Sequence, residues 1–313
     1  MSSKVLVITG INGFIGGNIS LHFENELHYN IIGIEQKRNL FQRGKASYYS
    51  WEELDLITRG DCIIHLAGLA HDTTKSRLSQ EYFRVNTDLT KTIFDYFLKS
   101  KAEMFLFFST VKAAADYSDI PLNESTCPNP TTIYGQSKFL AEQYILNNLP
   151  KEGRKVYILR PCMIHGPQPK GNLLSLYKYF QKGLPYPFGS MSNNRSYLSI
   201  GNLNYILTKL IESDIPSGIY HLADDEPLST KRIIELIGES LKIKLRIINL
   251  PLNILKSFAS LGNLLHLPIN SGMIQKLTGN FIVSNEKIKK ALDINRLPIS
   301  SEEGMRITFK NIN

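Results

Sequence analysis

Short apolar runs and amphipathic stretches alternate through the first half of the chain. "KVLVITG" (4–10) is a continuous apolar run closed by Gly10, the pattern of a strand buried on both faces. "FIGGNISLHFENEL" (14–27) then has helical spacing, and "NIIGIE" (30–35) predicts a second strand. "ASYYS" (46–50) predicts a short third strand and "WEELDLITRG" (51–60) a helix after it. "DCIIHLAG" (61–68) and "EMFLFFST" (103–110) predict strands on either side of "SQEYFRVNTDLTKTIFDYFLKS" (79–100), a long amphipathic helix. "TTIYGQSKFLAEQYILNNL" (131–149) predicts another helix and "KVYILRP" (155–161) another strand. Repeated β-α units imply an α/β fold with a doubly wound parallel sheet covered by helices. Ligands on such sheets sit at the carboxyl ends of the strands, where Gly10, Gly68, Thr110 and Pro161 fall. Past residue 162 the alternation loosens, and Pro and Gly become frequent through "HGPQPKGN" and "KGLPYPFGS". The expected division is therefore a first domain over 1–162, completed by strands from later segments, and a smaller, interwoven α/β region over 163–313.

Composition narrows the class. The chain has 313 residues, 42% of them hydrophobic, enough for one large α/β unit with a smaller region attached. The N-terminal apolar run is too short for a signal peptide, and no uninterrupted apolar run of about 18 residues predicts a membrane span. The three cysteines lie far apart and suit a reduced, cytoplasmic protein; the seven histidines form no metal-ligating cluster, so no metal is expected. The net charge is +8, and residues 231–290 carry ten Lys/Arg against three Glu. A solvated lysine-rich face, a site for an anionic ligand and contact with a membrane surface all fit that excess, the last helped by an apolar stretch at about 250–266. No basic block interleaved with aromatics is present, so no nucleic-acid partner is expected.

Candidate chemistry begins with "TGINGFIGG". Gly10, Gly13 and Gly16 form a G-x-x-G-x-x-G straight after a strand and at the opening of a helix. That context allows a sharp turn, close backbone approach to a pyrophosphate, and a helix N-terminus aimed at phosphate: the requirements of dinucleotide binding. Glu35 ends the second strand, where a carboxylate accepts from both adenosine ribose hydroxyls and selects NAD. Lys37 and Arg38 follow and would suit the 2′-phosphate of NADP, or a solvated charge cluster. Tyr134 and Lys138 stand four apart on one helix face, as a catalytic acid with its electrostatic helper or as ordinary helix residues.

Taken in order, TGxxGxxG at 9–16, "HLAG" at 65–68, "VN" at 85–86, "ST" at 109–110, Tyr134-x-x-x-Lys138 and "RP" at 160–161 resemble the extended short-chain dehydrogenase/reductases. More narrowly, the chain resembles the nucleotide-sugar epimerases and reductases of that family, over nearly its whole length. The resemblance implies a Rossmann-type fold and a pyrophosphate held by Gly10, Asn12, Gly13, Phe14, Ile15 and Gly16. It places Leu66, Ala67 and Gly68 along the adenosine side, Asn86 beneath the nicotinamide half, Ser109 at the cofactor, and Pro161 against the nicotinamide ring. Thr110, Tyr134 and Lys138 become the catalytic trio, with Lys138 also on the nicotinamide ribose. Thr110 precedes Tyr134 by 24 residues, close to the family's spacing, although its usual Val-Tyr-Gly is replaced by Ala113-Ala114-Ala115. In chemical terms, positive charge near Tyr134 lowers a phenol pKa of about 10, so that Tyr134 removes a proton from a sugar hydroxyl as hydride leaves the carbon.

The resemblance also bounds the reaction. The family's 4,6-dehydratases carry Asp-Glu after the catalytic Thr; here Val111 and Lys112 stand there, which argues against dehydration. The leading expectation is an NAD-dependent UDP-hexose or UDP-N-acetylhexosamine 4-epimerase working through a transient 4-keto sugar. "STVK", and the stretch from "GPQPKGNLL" to "NNRSY", resemble UDP-4-keto-6-deoxy-N-acetylhexosamine reductases of bacterial polysaccharide pathways, the alternative. A non-catalytic dinucleotide-binding regulator is the reading from another class. Arg195 is the candidate for the substrate diphosphate, its fork matching phosphate geometry. Asn172, Pro187 and Phe188 join it by family analogy, and Met163 stands where some epimerases place a substrate-binding Asn, a departure from plain UDP-galactose 4-epimerases. Family members often form homodimers through the two long helices near 79–100 and 131–148.

Overall fold

A computed structural model describes residues 3–36, 44–70, 79–151, 153–169, 171–187, 189, 193–250 and 279–312. Lys37, Arg38, Phe188 and nearly all of the apolar 250–266 stretch lie outside them, and with them the expectations of an NADP phosphate site, a nucleobase contact and a membrane-facing stretch. The first half runs β1 (Val5–Thr9), α1 (Phe14–Asn25), β2 (Asn30–Glu35), β3 (Ser47–Ser50), β4 (Cys62–His65), α2 (Ser79–Phe83), α3 (Leu89–Lys99), β5 (Met104–Phe108), β6 (Ser118–Leu122), α4 (Ile133–Asn147) and β7 (Lys155–Pro161). There follow β8 (Met163–His165), α5 (Asn172–Gln181), β9 (Tyr197–Ser199), α6 (Ile200–Glu212), β10 (Gly218–Leu222), α7 (Thr230–Leu241), β11 (Phe281–Val283), α8 (Glu286–Ala291) and α9 (Ser301–Lys310).

The central sheet has seven strands in the order β10-β7-β5-β4-β1-β2-β3, and every pairing is parallel. Strand order reverses between β1 and β4, which opens a crevice at their carboxyl ends. The buried strands alternate between two cores, as a pleated strand must. Leu6 and Ile8 pack with Ile19 and Phe23 of α1 and Leu203 and Leu207 of α6, while Val7 faces Ile93, Phe94 and Phe97 of α3 and Ala141 of α4. β10, far along the chain, returns to pair with β7, so the second region shares the sheet with the first.

Two predicted elements differ in detail. The helix expected over 51–60 is a short 3-10 turn at Trp51–Leu56, closed at its start by a Ser50–Glu53 capping box. The long helix predicted over 79–100 contains a π-turn at Arg84–Asp88 between α2 and α3. The extra residue in that turn buries Asn86 and Thr87 together.

Candidate active site

The glycine loop occupies the crevice. Gly10 has φ +70°, and a Cβ there would stand 2.9 Å from the Ala67 nitrogen. At Gly16 a Cβ would come within 2.7 Å of the Ile11 Cα, so only glycine lets α1 pack against the strand it leaves. The N-cap of α1 is Gly13, which offers no side-chain oxygen to the first-turn amides; α4, α6, α7 and α9 are capped by Thr132, Ser199, Ser229 and Ser300. Inside the same loop the Asn12 side-chain nitrogen is buried without a hydrogen-bond partner. A free helix N-terminus beside an unsatisfied donor fits an anionic diphosphate. Glu35, at the end of β2, accepts from the Asn12 backbone amide at 2.8 Å, and burial raises its pKa.

A chain of buried hydroxyls and one imidazole ties the loop to the segment that follows β4. Thr9 Oγ1 accepts from the backbone amides of Leu66 and Ala67, both at 3.1 Å, and contacts His65 Nδ1 at 2.7 Å. His65 Nε2 meets Thr90 Oγ1 at 2.9 Å, and Thr90 donates to the Asn86 carbonyl at 2.7 Å. Burial, with Lys138 nearby, drives the His65 pKa well down, so the ring is neutral. Asn86 is fully buried, not a surface residue of a helix. Its carboxamide clasps the Leu69 backbone, accepting at 2.7 Å and donating at 3.0 Å, and donates to Ser137 Oγ at 3.0 Å. A Cβ on Gly68 would stand 3.0 Å from both Asn86 Oδ1 and Lys138 Nζ, so this glycine leaves open the wall beside the lysine.

The trio assembles across three elements. Thr110 follows β5 and caps a 3-10 turn over Val111–Ala113, accepting from the Lys112 amide at 3.2 Å. Tyr134 lies in the first turn of α4, near enough to Thr110 for the threonine hydroxyl to lower its pKa. Lys138, one turn on, is buried; its Nζ donates to the Phe108 carbonyl at 2.9 Å and sits 4.8 Å above the Phe107 ring. Burial lowers its pKa to about 8, against an opposing pull from Glu142. In the protein alone, burial pushes the Tyr134 pKa up to about 12, because desolvation outweighs the lowering by Thr110 and the Tyr82 phenol adds to the rise. Without a further positive charge Tyr134 is a phenol at neutral pH.

Several supporting residues were not singled out in the sequence. Asp116 accepts from the amides of Thr131 (2.8 Å) and Thr132 (3.0 Å) and from their hydroxyls (2.7 and 2.8 Å), which pins the start of α4. Glu142 is fully buried, takes the Ser109 hydroxyl and pairs with Arg160 at 2.9 and 2.5 Å. Its signal was its place four residues past Lys138, on the same helix face.

The predicted substrate residues are more scattered. Arg195 pairs through its backbone with Leu228 at 3.0 and 2.9 Å, and its guanidinium lies 5.9 Å from the Phe281 ring centre. Its charge acts on Cys162, the residue after Pro161, and on Tyr197. Asn172 opens α5 with its side chain exposed. Pro187 follows Tyr186, whose backbone pairs with Arg246 and Ile248 at 2.8 Å each. Met163 is exposed at the start of β8. Among the described residues no group of three or more His, Cys, Asp or Glu could hold a metal, and no helix is long and apolar enough to cross a membrane.

An all-parallel, doubly wound sheet with a glycine loop at its switch point defines a Rossmann-type dinucleotide-binding fold, and a Thr-Tyr-Lys cluster stands beside the loop. Residues 6–223 match the NAD dependent epimerase/dehydratase family, and the chain belongs to it. A UDP-glucose 4-epimerase of Vibrio cholerae is 26% identical over 317 residues, covering 97% of this chain and 94% of that protein. An N-acetyl-alpha-D-glucosaminyl-diphospho-ditrans,octacis-undecaprenol 4-epimerase of Escherichia coli O157:H7 is 26% identical over 304 residues, covering 93% and 86%. The crystal structure of a Thermotoga maritima UDP-glucose 4-epimerase with UDP-glucose superposes with a TM-score of 0.77 at 18% identity, covering 98% of both chains.

Proposed function

We propose that the protein is an NAD-dependent nucleotide-sugar 4-epimerase acting on a UDP-hexose or UDP-N-acetylhexosamine. The observation that carries this reading is the convergence of Thr110, at the end of β5, and Tyr134, in the first turn of α4, one helical turn from buried Lys138, beside an uncapped glycine loop. The loop, through the α1 amides and Asn12, would hold the pyrophosphate; Glu35 would take the adenosine ribose, Leu66, Ala67 and Gly68 its surroundings, and Pro161 the nicotinamide. Bound NAD supplies a hydride acceptor and donor at sugar C4. Tyr134 takes the proton from O4 and returns it when the hydroxyl is re-formed on the opposite face. Thr110 holds that oxygen, and Lys138 together with the oxidised nicotinamide would supply the positive charge that lowers the phenol pKa toward neutral pH. Arg195 binds the diphosphate, with Asn172, Pro187 and Phe188 on the nucleotide side. Both relatives at 26% identity are named as 4-epimerases, which supports C4 as the reacting carbon.

Incubation of the purified protein with UDP-GlcNAc or UDP-glucose and no added cofactor should yield the C4 epimer, resolved by chromatography. A second reading uses the same trio: reduction of a UDP-4-keto-6-deoxy-N-acetylhexosamine, favoured by "STVK" at 109–112. Stoichiometric consumption of NADH or NADPH with that ketone, and no epimer from the hydroxyl sugars, would replace the first reading by the second. The family's helix-to-helix homodimer would bring together α3 and α4 of two copies, the latter exposing Ile133 and Leu140; light scattering at the monomer mass would refute it.

A further inference from the structure

Among the described residues, Glu142 is the carboxylate buried beside the trio; it belongs to no step of that chemistry, yet it is bonded to the ends of two strands that bear on it. Glu142 Oε1 accepts from Ser109, the neighbour of Thr110, and from Arg160 Nε at 2.9 Å; Oε2 accepts from Arg160 Nη2 at 2.5 Å. Arg160 is the neighbour of Pro161. Lys138 lies one turn before Glu142 on α4. Glu142 and Arg160 are both essentially inaccessible to solvent. A buried ion pair of this kind is weak support for stability, since apolar replacements of equal volume often fold as well or better. Its place one turn from a buried lysine asks for another reason.

We propose that Glu142 is a positioning residue: it locks the ends of β5 and β7 to the catalytic helix and supplies the counter-charge that keeps Lys138 an ammonium, with Arg160 limiting how much of that charge the lysine feels. This rests on the reading of Tyr134 and Lys138 as the acid–base pair. The other groups around the lysine and the pair cannot take the part. His65, on β4, is a neutral buried ring. Tyr82, on α2, and Tyr134, on α4 itself, are phenols near the same opening. His221, on β10 opposite Arg160, has its pKa lowered to about 4 by burial and by the arginine. Ser109 carries no charge, and the Tyr144–Asp95 hydrogen bond lies at the far end of α4. Glu142 is the group whose charge raises the Lys138 pKa against burial.

The geometry gives two variants with opposite signs. Glu142→Gln removes the negative charge and leaves Arg160 facing Lys138, so the lysine loses its proton more easily. Arg160→Met removes the competing cation and leaves Glu142 to the lysine, which holds its proton longer. The pH profile of kcat for epimerisation should therefore lose its alkaline limb about one pH unit earlier in E142Q and later in R160M, with Glu142→Asp close to wild type. NAD affinity by calorimetry across the same pH range should move in the same two directions, because Lys138 would hold the cofactor ribose. If E142Q does not fold, R160M alone decides. An unshifted limb in the folded variants, with only the melting temperature lowered, would reduce the pair to a structural role and overturn the proposal. Lack of epimerisation by the wild type would instead sink the functional reading, and the NAD-affinity profiles would then decide the role of Glu142 by themselves.

Discussion

The proposed cofactor cradle and the proposed substrate rim are built differently. In the cradle, Thr9, His65, Thr90, Asn86 and Ser137 are buried and hydrogen-bonded to one another or to backbone, so the polar groups are fixed before any ligand arrives. At the rim, Asn172 and Met163 expose their side chains, and the segment carrying Pro187 is held by backbone pairing to Arg246 and Ile248. A prepaid network suits a group that is held through every turnover, since ordering costs are met during folding. An exposed rim leaves the identity of the sugar to a few side chains that can change without disturbing the sheet. The rim is fastened from below by a separate cluster, where Asp224 accepts from the Ser199 amide at 3.0 Å and Asn202 Nδ2 at 2.7 Å and lies 3.6 Å from His165.

The contrast predicts that changes in the cradle's chemistry act on kcat, while changes at the rim act on KM. The largest effect should come from Tyr134→Phe, which keeps the ring and removes the acid–base group: kcat should fall roughly 10²–10⁴-fold with NAD affinity unchanged, measured by steady-state assay and calorimetry. A Y134F enzyme with wild-type turnover would remove the catalytic role. Next, Asp116→Ala frees the first turn of α4 from four hydrogen bonds, and kcat should drop about tenfold or more while KM stays within about twofold. Equal change in both constants would mean Asp116 shapes the rim and not Tyr134. Arg195→Ala should raise KM for the UDP-sugar about tenfold with kcat nearly kept, if Arg195 holds the diphosphate as proposed, a contact worth on the order of 1–2 kcal/mol.

The smallest effect is on stability in acid. His221 has its pKa lowered to about 4 from an ordinary 6.5, and His65 is lowered as well, so the unfolded chain binds protons that the fold rejects. Stability should be full above pH 6.5 and fall as pH drops from 6.5 toward 4, read as a decreasing denaturant midpoint. Replacing His65 by Gln should flatten part of that slope; an unchanged slope would show that the cradle imidazole carries none of it.

The cradle was legible in sequence for the same physical reason that it is rigid. Buried parallel strands read as continuous apolar runs, and a strand-to-helix turn at the switch point requires glycine, so 4–10, 30–35, 155–161 and the loop at Gly10, Gly13 and Gly16 announced themselves. The role of Asn86 was readable only through resemblance, because a lone Asn in an amphipathic helix carries no periodic signal; its burial comes from the π-turn at Arg84–Asp88. Asp116 and Arg160 were silent because their partners, Thr131, Thr132 and Glu142, are close in space and set by the fold, not by spacing. Strands β6, β8, β9 and β11 are three to five residues long and pair outside the main sheet, too short for alternation to register. The elevated Tyr134 pKa could not be foreseen either, since the burial that raises it depends on tertiary packing.

The claim at the centre of this account is that Tyr134 and a retained NAD invert C4 through a 4-keto sugar. Its most direct test is epimerisation of UDP-GlcNAc deuterated at C4, with no added cofactor and with Y134F as control. Hydride return predicts product that keeps its deuterium at C4 and a Y134F enzyme that forms none. Deuterium lost to solvent, or epimer formed equally well without the Tyr134 hydroxyl, would contradict it.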